Sequence, residues 1–357
     1  MSRALRRVAG AAGGAAVVLA LAGAAVDGPL FPRGLAPVDV GAVVDPDRWS
    51  ATCAECHAAH VDEWAASRHA VAWTNGIFQR EYRREPLDWC VRCHAPLATG
   101  GPSSVTGAAE EGVNCAVCHF REGRMVSSAR AEDSPHDTWV VDGYAGAEAC
   151  GGCHEFNFPF VDEDHVVRRY TDHPMQHTLS EFRAGAHSGR EGECLGCHGN
   201  TPAGHRMPGG HDLGALQHAL TLDVCRKSAR ALQLTVQNVG AGHNLPTGDL
   251  HRALRLRAWR SSAPTALWEH FFGRAFGPAP DAGKLVVVDT ALRPLQAVTQ
   301  AVDPRALAGR ADEEVNVELR YIYTADEIPT DRNHPGEPTY AVVHSRRARV
   351  SEFPRCP

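Results

Sequence analysis

Polar and apolar residues alternate in four stretches of the C-terminal third: 231–238 (ALQLTVQN), 252–259 (RALRLRAW), 314–323 (EVNVELRYIY) and 340–345 (YAVVHS). A period of two puts every second side chain on one face, so each stretch predicts a half-buried strand. Clusters of Gly, Pro and Asp separate the strands, notably Gly273 to Gly283. Together they predict a small antiparallel β-sandwich-like domain over residues 219–357.

Residues 45–218 have another texture, rich in Gly, Pro, His and charge. A helical period is visible at two places. His60 to Ala72 lines up Val61, Trp64, Ala65 and Val71 on one face, and Met175 to Phe182 is the second. At the N-terminus, Met1-Ser-Arg3-Ala-Leu-Arg6-Arg7 precedes an apolar run from Val8 to Val26. Residues 1–26 therefore predict a signal peptide, with Ala22-Gly23-Ala24 as the cleavage site. The run is close to the ~20 residues that span a bilayer, so an uncleaved anchor is the alternative. The first cysteine is Cys53, which argues against a lipid-modified N-terminus. The expected location is periplasmic or otherwise exported.

The cysteines change the picture most. Ten of the twelve fall in five copies of C-x-x-C-H: Cys53/Cys56/His57, Cys90/Cys93/His94, Cys115/Cys118/His119, Cys150/Cys153/His154 and Cys194/Cys197/His198. This is the attachment motif of c-type haem. Both thiols bond to the porphyrin edge, and the histidine becomes the proximal iron ligand. A zinc protein would want paired knuckles or a distant His pair, and would not need His at the same offset each time. The expected cofactors are five covalently bound haem c groups. Successive motif histidines are 37, 25, 35 and 44 residues apart. That is too little chain per haem for an ordinary apolar core, so the porphyrins themselves are expected to form the core of an α-plus-irregular multihaem domain. Cys225 and Cys356 remain, an even pair for an oxidising compartment. They predict a disulfide tying the C-terminus to the start of the second domain, although sequence separation alone does not establish that they meet.

Each iron has a sixth position. After signal removal only Met125, Met175 and Met207 remain, against fifteen histidines outside the motifs. Bis-His ligation and low potentials are the default. The candidate distal ligands are His69, His136, His205, His211 and His243, with His60, His165, His173, His177 and His187 in reserve. His205 and His211 flank a Pro-Gly-Gly turn where glycine lets backbone approach a porphyrin face. His243 lies in a turn-rich loop of the second domain, from which it could cap a haem across the domain boundary. The net charge of −6 argues against nucleic acid as a partner. Nearly all basic residues are Arg, which suits haem propionates.

Cys53-Ala-Glu-Cys56-His57 followed by Trp64-Ala-Ala-Ser67-Arg68-His69-Ala70 resembles the signature of multihaem cytochromes related to the tetrahaem electron acceptor of hydroxylamine oxidoreductase, the cytochrome c-554-like family. The resemblance implies that His69 is a distal ligand and that neighbouring haems stack in parallel and perpendicular pairs. Three further stretches, 175–182, 205–212 and 242–248, look like elements of multihaem cytochromes with a C-terminal β domain. The likeness covers about residues 50–250. The chain departs from the better-known relatives in having five haem motifs rather than four or eight, so the haem order does not transfer. It also lacks the C-x-x-C-K motif of pentahaem nitrite reductases with a Lys-ligated haem.

Three functions follow as expectations. The first is electron relay between a redox protein donor and acceptor, including a membrane quinol-oxidising or outer-membrane cytochrome complex. The second is a multihaem oxidoreductase in which one open-coordination haem acts on a small nitrogen compound or peroxide. The third is a docking module whose sandwich sets the assembly of a larger conduit.

Overall fold

The computed structural model describes residues 49–357 except 99–106, 131, 133, 145, 280–283, 304, 306, 308–312 and 325–337. The N-terminal basic and apolar segment lies outside the described residues. Among the described residues no helix is long and apolar enough to cross a membrane.

The first part is built from short helices. These are α1 (Trp49–Ala65), α2 (Gly76–Arg84), α3 (Asp88–His94), α4 (Cys115–His119), α5 (Ala147–His154), α6 (Thr178–Ala184), α7 (Leu195–His198) and α8 (Leu213–Ala219). A small sheet of β1 (Phe120–Arg121), β2 (Arg124–Ser127) and β3 (Thr138–Val140) follows α4, and β4 (Glu155–Val161) pairs with β5 (Val167–His177) as a hairpin. Apolar packing is divided among small clusters, such as Leu97, Ala116 and Val117, or Tyr82, Val91, Ala95 and Ala109.

Both helices expected here are displaced. The helix expected to reach Ala72 ends at Ala65 and gives way to tight turns. Tertiary contacts override the local period: the Trp64 indole donates to the Val113 carbonyl at 2.8 Å, and Val113 N–H donates to the His69 carbonyl at 3.0 Å. Gly112 lets the segments meet, since a Cβ there would fall 2.5 Å from the His69 oxygen. The Met175–Phe182 stretch divides between strand and helix. Gln176 and His177 pair with Phe156 and Glu155 across the hairpin, so the helix begins only at Thr178.

The second part is two sheets around one apolar core. Its strands are β6 (Leu220–Ser228), β7 (Ala231–Asn238), β8 (Ala253–Arg260), β9 (Ala263–Pro278), β10 (Lys284–Asp289), β11 (Ala297–Ala301), β12 (Glu314–Ile322) and β13 (Tyr340–Arg349). Five strands run in the order β10-β9-β8-β12-β13, and three in the order β11-β7-β6; every pairing in these two sheets is antiparallel. The alternation works as its period requires. Leu232, Leu234 and Val236 from one sheet, and Leu254, Leu256, Val315, Val317 and Leu319 from the other, join the same buried cluster. The Gly273–Gly283 stretch is not simply a separator, because β9 runs through Gly273 to Pro278. Gly273 adopts a φ of 151°, and its N–H and carbonyl bond to Thr290. The glycine relieves a crowded backbone within the strand rather than ending it.

Cys225 on β6 and Cys356 form a disulfide with Cα atoms 5.0 Å apart, across 131 residues of sequence. Backbone hydrogen bonds join Arg226 to Pro354 and Cys356 on either side of it. A crosslink over so long a loop restricts the unfolded chain, and replacing both cysteines by serine is expected to cost about 2–4 kcal/mol. Urea unfolding followed by far-UV circular dichroism reads this; an unchanged midpoint would show that the crosslink contributes nothing.

Candidate haem centres

Each C-x-x-C-H motif lies on a short helix: the first within α1, and the others in α3, α4, α5 and at α7, with Cys194 as its N-cap. Helical spacing explains the motif. Residues i, i+3 and i+4 share one face, so both thiols and the imidazole address the same side. In α1 the backbone kinks at His57 (φ −115°, ψ 38°).

Four motif histidines face a second histidine. The ring centres of His57 and His136 are 6.4 Å apart, those of His154 and His69 6.4 Å, those of His119 and His205 6.0 Å, and those of His198 and His243 6.2 Å. Two imidazoles on opposite faces of one iron, with metal–nitrogen bonds of about 2 Å, put their ring centres about 6 Å apart. The residues present therefore fit iron held between paired histidines.

The hydrogen bonds set the tautomer. Nδ1 faces a backbone carbonyl in His94 (Ala72, 2.8 Å), His119 (Val126, 3.3 Å), His198 (Pro208, 2.6 Å), His205 (Ala203, 2.6 Å) and His243 (Asn244, 2.8 Å). A carbonyl only accepts, so Nδ1 carries the proton and Nε2 presents its lone pair to a metal. Tyr144 orients His119 further: its hydroxyl lies 3.1 Å from Nδ1 and donates to the Cys118 carbonyl at 2.7 Å. Desolvation favours the neutral form of the most deeply buried rings. It lowers the pKa of His69, His94, His119 and His243, and it pushes His154 down to about 4, aided by His69, His198, His94 and His243 nearby.

Contacts between thiols show which motifs are neighbours. A hydrogen bond with Cys115 brings Cys53 down to about 7, and Cys115 rises in response. Cys93 is likewise raised by sharing a hydrogen bond with Cys153, and Cys150 by sharing one with Cys194. Cys118 lies within electrostatic reach of Cys150 and Cys153. The first motif thus sits beside the third, the third beside the fourth, and the fourth beside both the second and the fifth. His60 lies between the first and third, its ring 5.6 Å from His57 and 5.0 Å from His205.

Two sites depart from the expected pattern. His211 faces no motif histidine. Its ring stacks on Tyr323 at 4.1 Å, and its Nε2, the atom a metal would need, accepts a hydrogen bond from Arg252 at 3.2 Å. Burial and the charges of Arg252 and Arg68 push it down to about 3. The glycine turn before it packs on protein: a Cβ on Gly210 would fall 2.9 Å from the Tyr321 hydroxyl. Among the described residues no histidine stands opposite His94 at the 6 Å spacing. Its ring lies flat against Phe78, centres 3.7 Å apart, in a group with Trp73 and Tyr82. Of the reserves, His177 pairs with Glu181 at 2.9 Å, and His165 sits in the β4–β5 turn with φ 60°.

Glu63 and Tyr144 were not legible as site residues. Nothing in the sequence distinguishes them from other surface Glu and Tyr, because their partners lie 138 and 25 residues away.

Five C-x-x-C-H motifs on this scaffold have the pattern of a multihaem c-type cytochrome. Residues 52–120 match the family model of cytochrome c554 and c-prime. Among solved structures, a penta-heme cytochrome c552 from Thermochromatium tepidum is similar, with a TM-score of 0.60 and 19% identity over 85% of this chain and 100% of that one. No curated protein matches the chain.

Proposed function

We propose that this chain is an exported cytochrome carrying five haem c groups, mainly bis-His ligated, that relays electrons between a redox protein donor and acceptor. The observation that carries the reading is the set of four imidazole pairs with centres 6.0–6.4 Å apart, each containing one motif histidine. Haem supplies one-electron iron chemistry. The chain's part is to hold the neutral imidazoles, set their orientation and keep successive motifs in contact. The porphyrins take the place of an apolar core in the first part, where the buried clusters are small. The arrangement of motifs favours a path from first to third to fourth, branching to the second and fifth. The basic and apolar N-terminal segment supports export to the periplasm, by cleavage or as an anchor, and the negative net charge disfavours nucleic acid. A membrane quinol-oxidising complex or an outer-membrane cytochrome complex fits as partner.

One observation favours a second reading for a single haem. His94 faces Phe78 rather than a second histidine. An iron held by His94 alone would have an exchangeable sixth position, suited to a small nitrogen compound or peroxide. Intact mass combined with a spectroelectrochemical titration tests the main reading. Five covalently attached haems are expected, the four with paired histidines titrating in the low range of bis-His ligation. Fewer haems, or uniformly high potentials, would exclude it.

A further inference from the structure

Glu63 lies on α1 and reaches into the loop between α7 and α8. Its carboxylate accepts hydrogen bonds from that loop, from Thr201 Oγ1 at 2.6 Å, Ala203 N at 3.0 Å and His205 N at 2.9 Å, and the Arg206 N–H adds a further one. The loop has little regular structure of its own, yet it carries His205, whose ring faces His119 at 6.0 Å. Within the loop, His205 Nδ1 is held by the Ala203 carbonyl. Glu63 therefore grips the two backbone amides that bracket the hydrogen bond orienting the His205 ring. The same helix carries the first haem motif, and His60, one turn before Glu63, touches the His205 ring edge-on at 5.0 Å.

We propose that Glu63 is a positioning residue that fixes His205 as the axial partner of His119, so that the first motif's helix controls ligation at the third. This rests on the imidazole-pair reading above. A carboxylate suits the role because both oxygens accept, and ionised acceptors make hydrogen bonds roughly twice as strong as neutral ones. Among the described hydrogen bonds, no other side chain accepts from these three donors.

The test is made on the full-length protein loaded with haem. The variants are Glu63→Ala, Glu63→Gln, Thr201→Val and His205→Ala, read by electron paramagnetic resonance of the ferric state and by haem content. His205→Ala identifies the signal of the third haem by converting it from low to high spin. Glu63→Ala is expected to convert or broaden that same signal, with haem content unchanged. Glu63→Gln, which keeps the shape but only one accepting oxygen, is expected to give a smaller change at that signal, and Thr201→Val a smaller one still. The double variant Glu63→Ala with His205→Ala is expected to look like His205→Ala alone. If His205→Ala alters the third haem but Glu63→Gln and Glu63→Ala leave every signal as in the parent, the positioning role is wrong while the ligation reading survives. If His205→Ala changes nothing, the ligation reading fails first, and the positioning role with it. Should Glu63→Ala fail to accumulate, the Glu63→Gln spectrum decides in the same way.

Discussion

Replacing His243 by alanine is expected to turn one low-spin ferric haem into a high-spin one without changing the number of haems attached. In the proposed reading attachment rests on Cys194 and Cys197, which the substitution leaves alone. The proposed sixth ligand lies on a loop in the second part of the chain, between β7 and β8. That loop is held firmly. Asn238 is fully buried and donates to the carbonyls of His243 and Leu292, while its side-chain oxygen accepts from Ala241 N–H. The His243 ring lies within 8° of parallel to His198, and its Nδ1 proton goes to Asn244. The parent protein is expected to show four low-spin signals and one high-spin signal, the latter from the haem of Cys90 and Cys93. His243→Ala should leave three low-spin and two high-spin signals. His243→Met should instead keep the haem low-spin and raise its potential, on the order of 100 mV within the ~0.8 V that axial ligands span. An unchanged spectrum for His243→Ala would remove that histidine from the ligand set. Five low-spin signals in the parent would remove the open-coordination reading.

Truncating the sandwich core should give the largest loss of stability. Phe272 on β9 is 1% exposed and packs in the cluster that joins both sheets. Phe272→Ala removes apolar contacts and leaves a cavity that strands on both sides cannot readily close, at a cost of about 3–5 kcal/mol. That is a large share of the roughly 5–15 kcal/mol by which a domain is stable. Val287 on β10 is 57% exposed, and Val287→Ala is expected to stay within about 0.5 kcal/mol. Urea unfolding followed by far-UV circular dichroism compares the two. Similar midpoints would mean that Phe272 is not part of a close-packed core. Because β7 and β8 also carry the His243 loop, loss of the Phe272 contacts should loosen ligation of the fifth haem at urea concentrations that leave the parent unchanged.

Local chemistry and local periodicity were readable directly. Covalent haem attachment needs two thiols and an imidazole one helical turn apart, so all five motifs could be named from spacing alone. The strands at 231–238 and 314–323 were equally legible, because burying one face of a sheet forces a period of two. The paired cysteines 225 and 356 could be named, but only folding brings them within 5.0 Å. Tertiary structure decided which histidines meet. His69 lies in a turn rather than on a helix because Gly112 and Val113 pack against it, and there it faces His154, 85 residues away in sequence. His211 had the same local credentials as His205, yet Arg252 and Tyr323 take its ring while Glu63 holds the loop that presents His205. A histidine's identity carries no information about what lies opposite its ring. The C-x-x-C-H pattern is therefore a property of the chain's local order, and the pairing of the histidines is a property of which distant segments pack together.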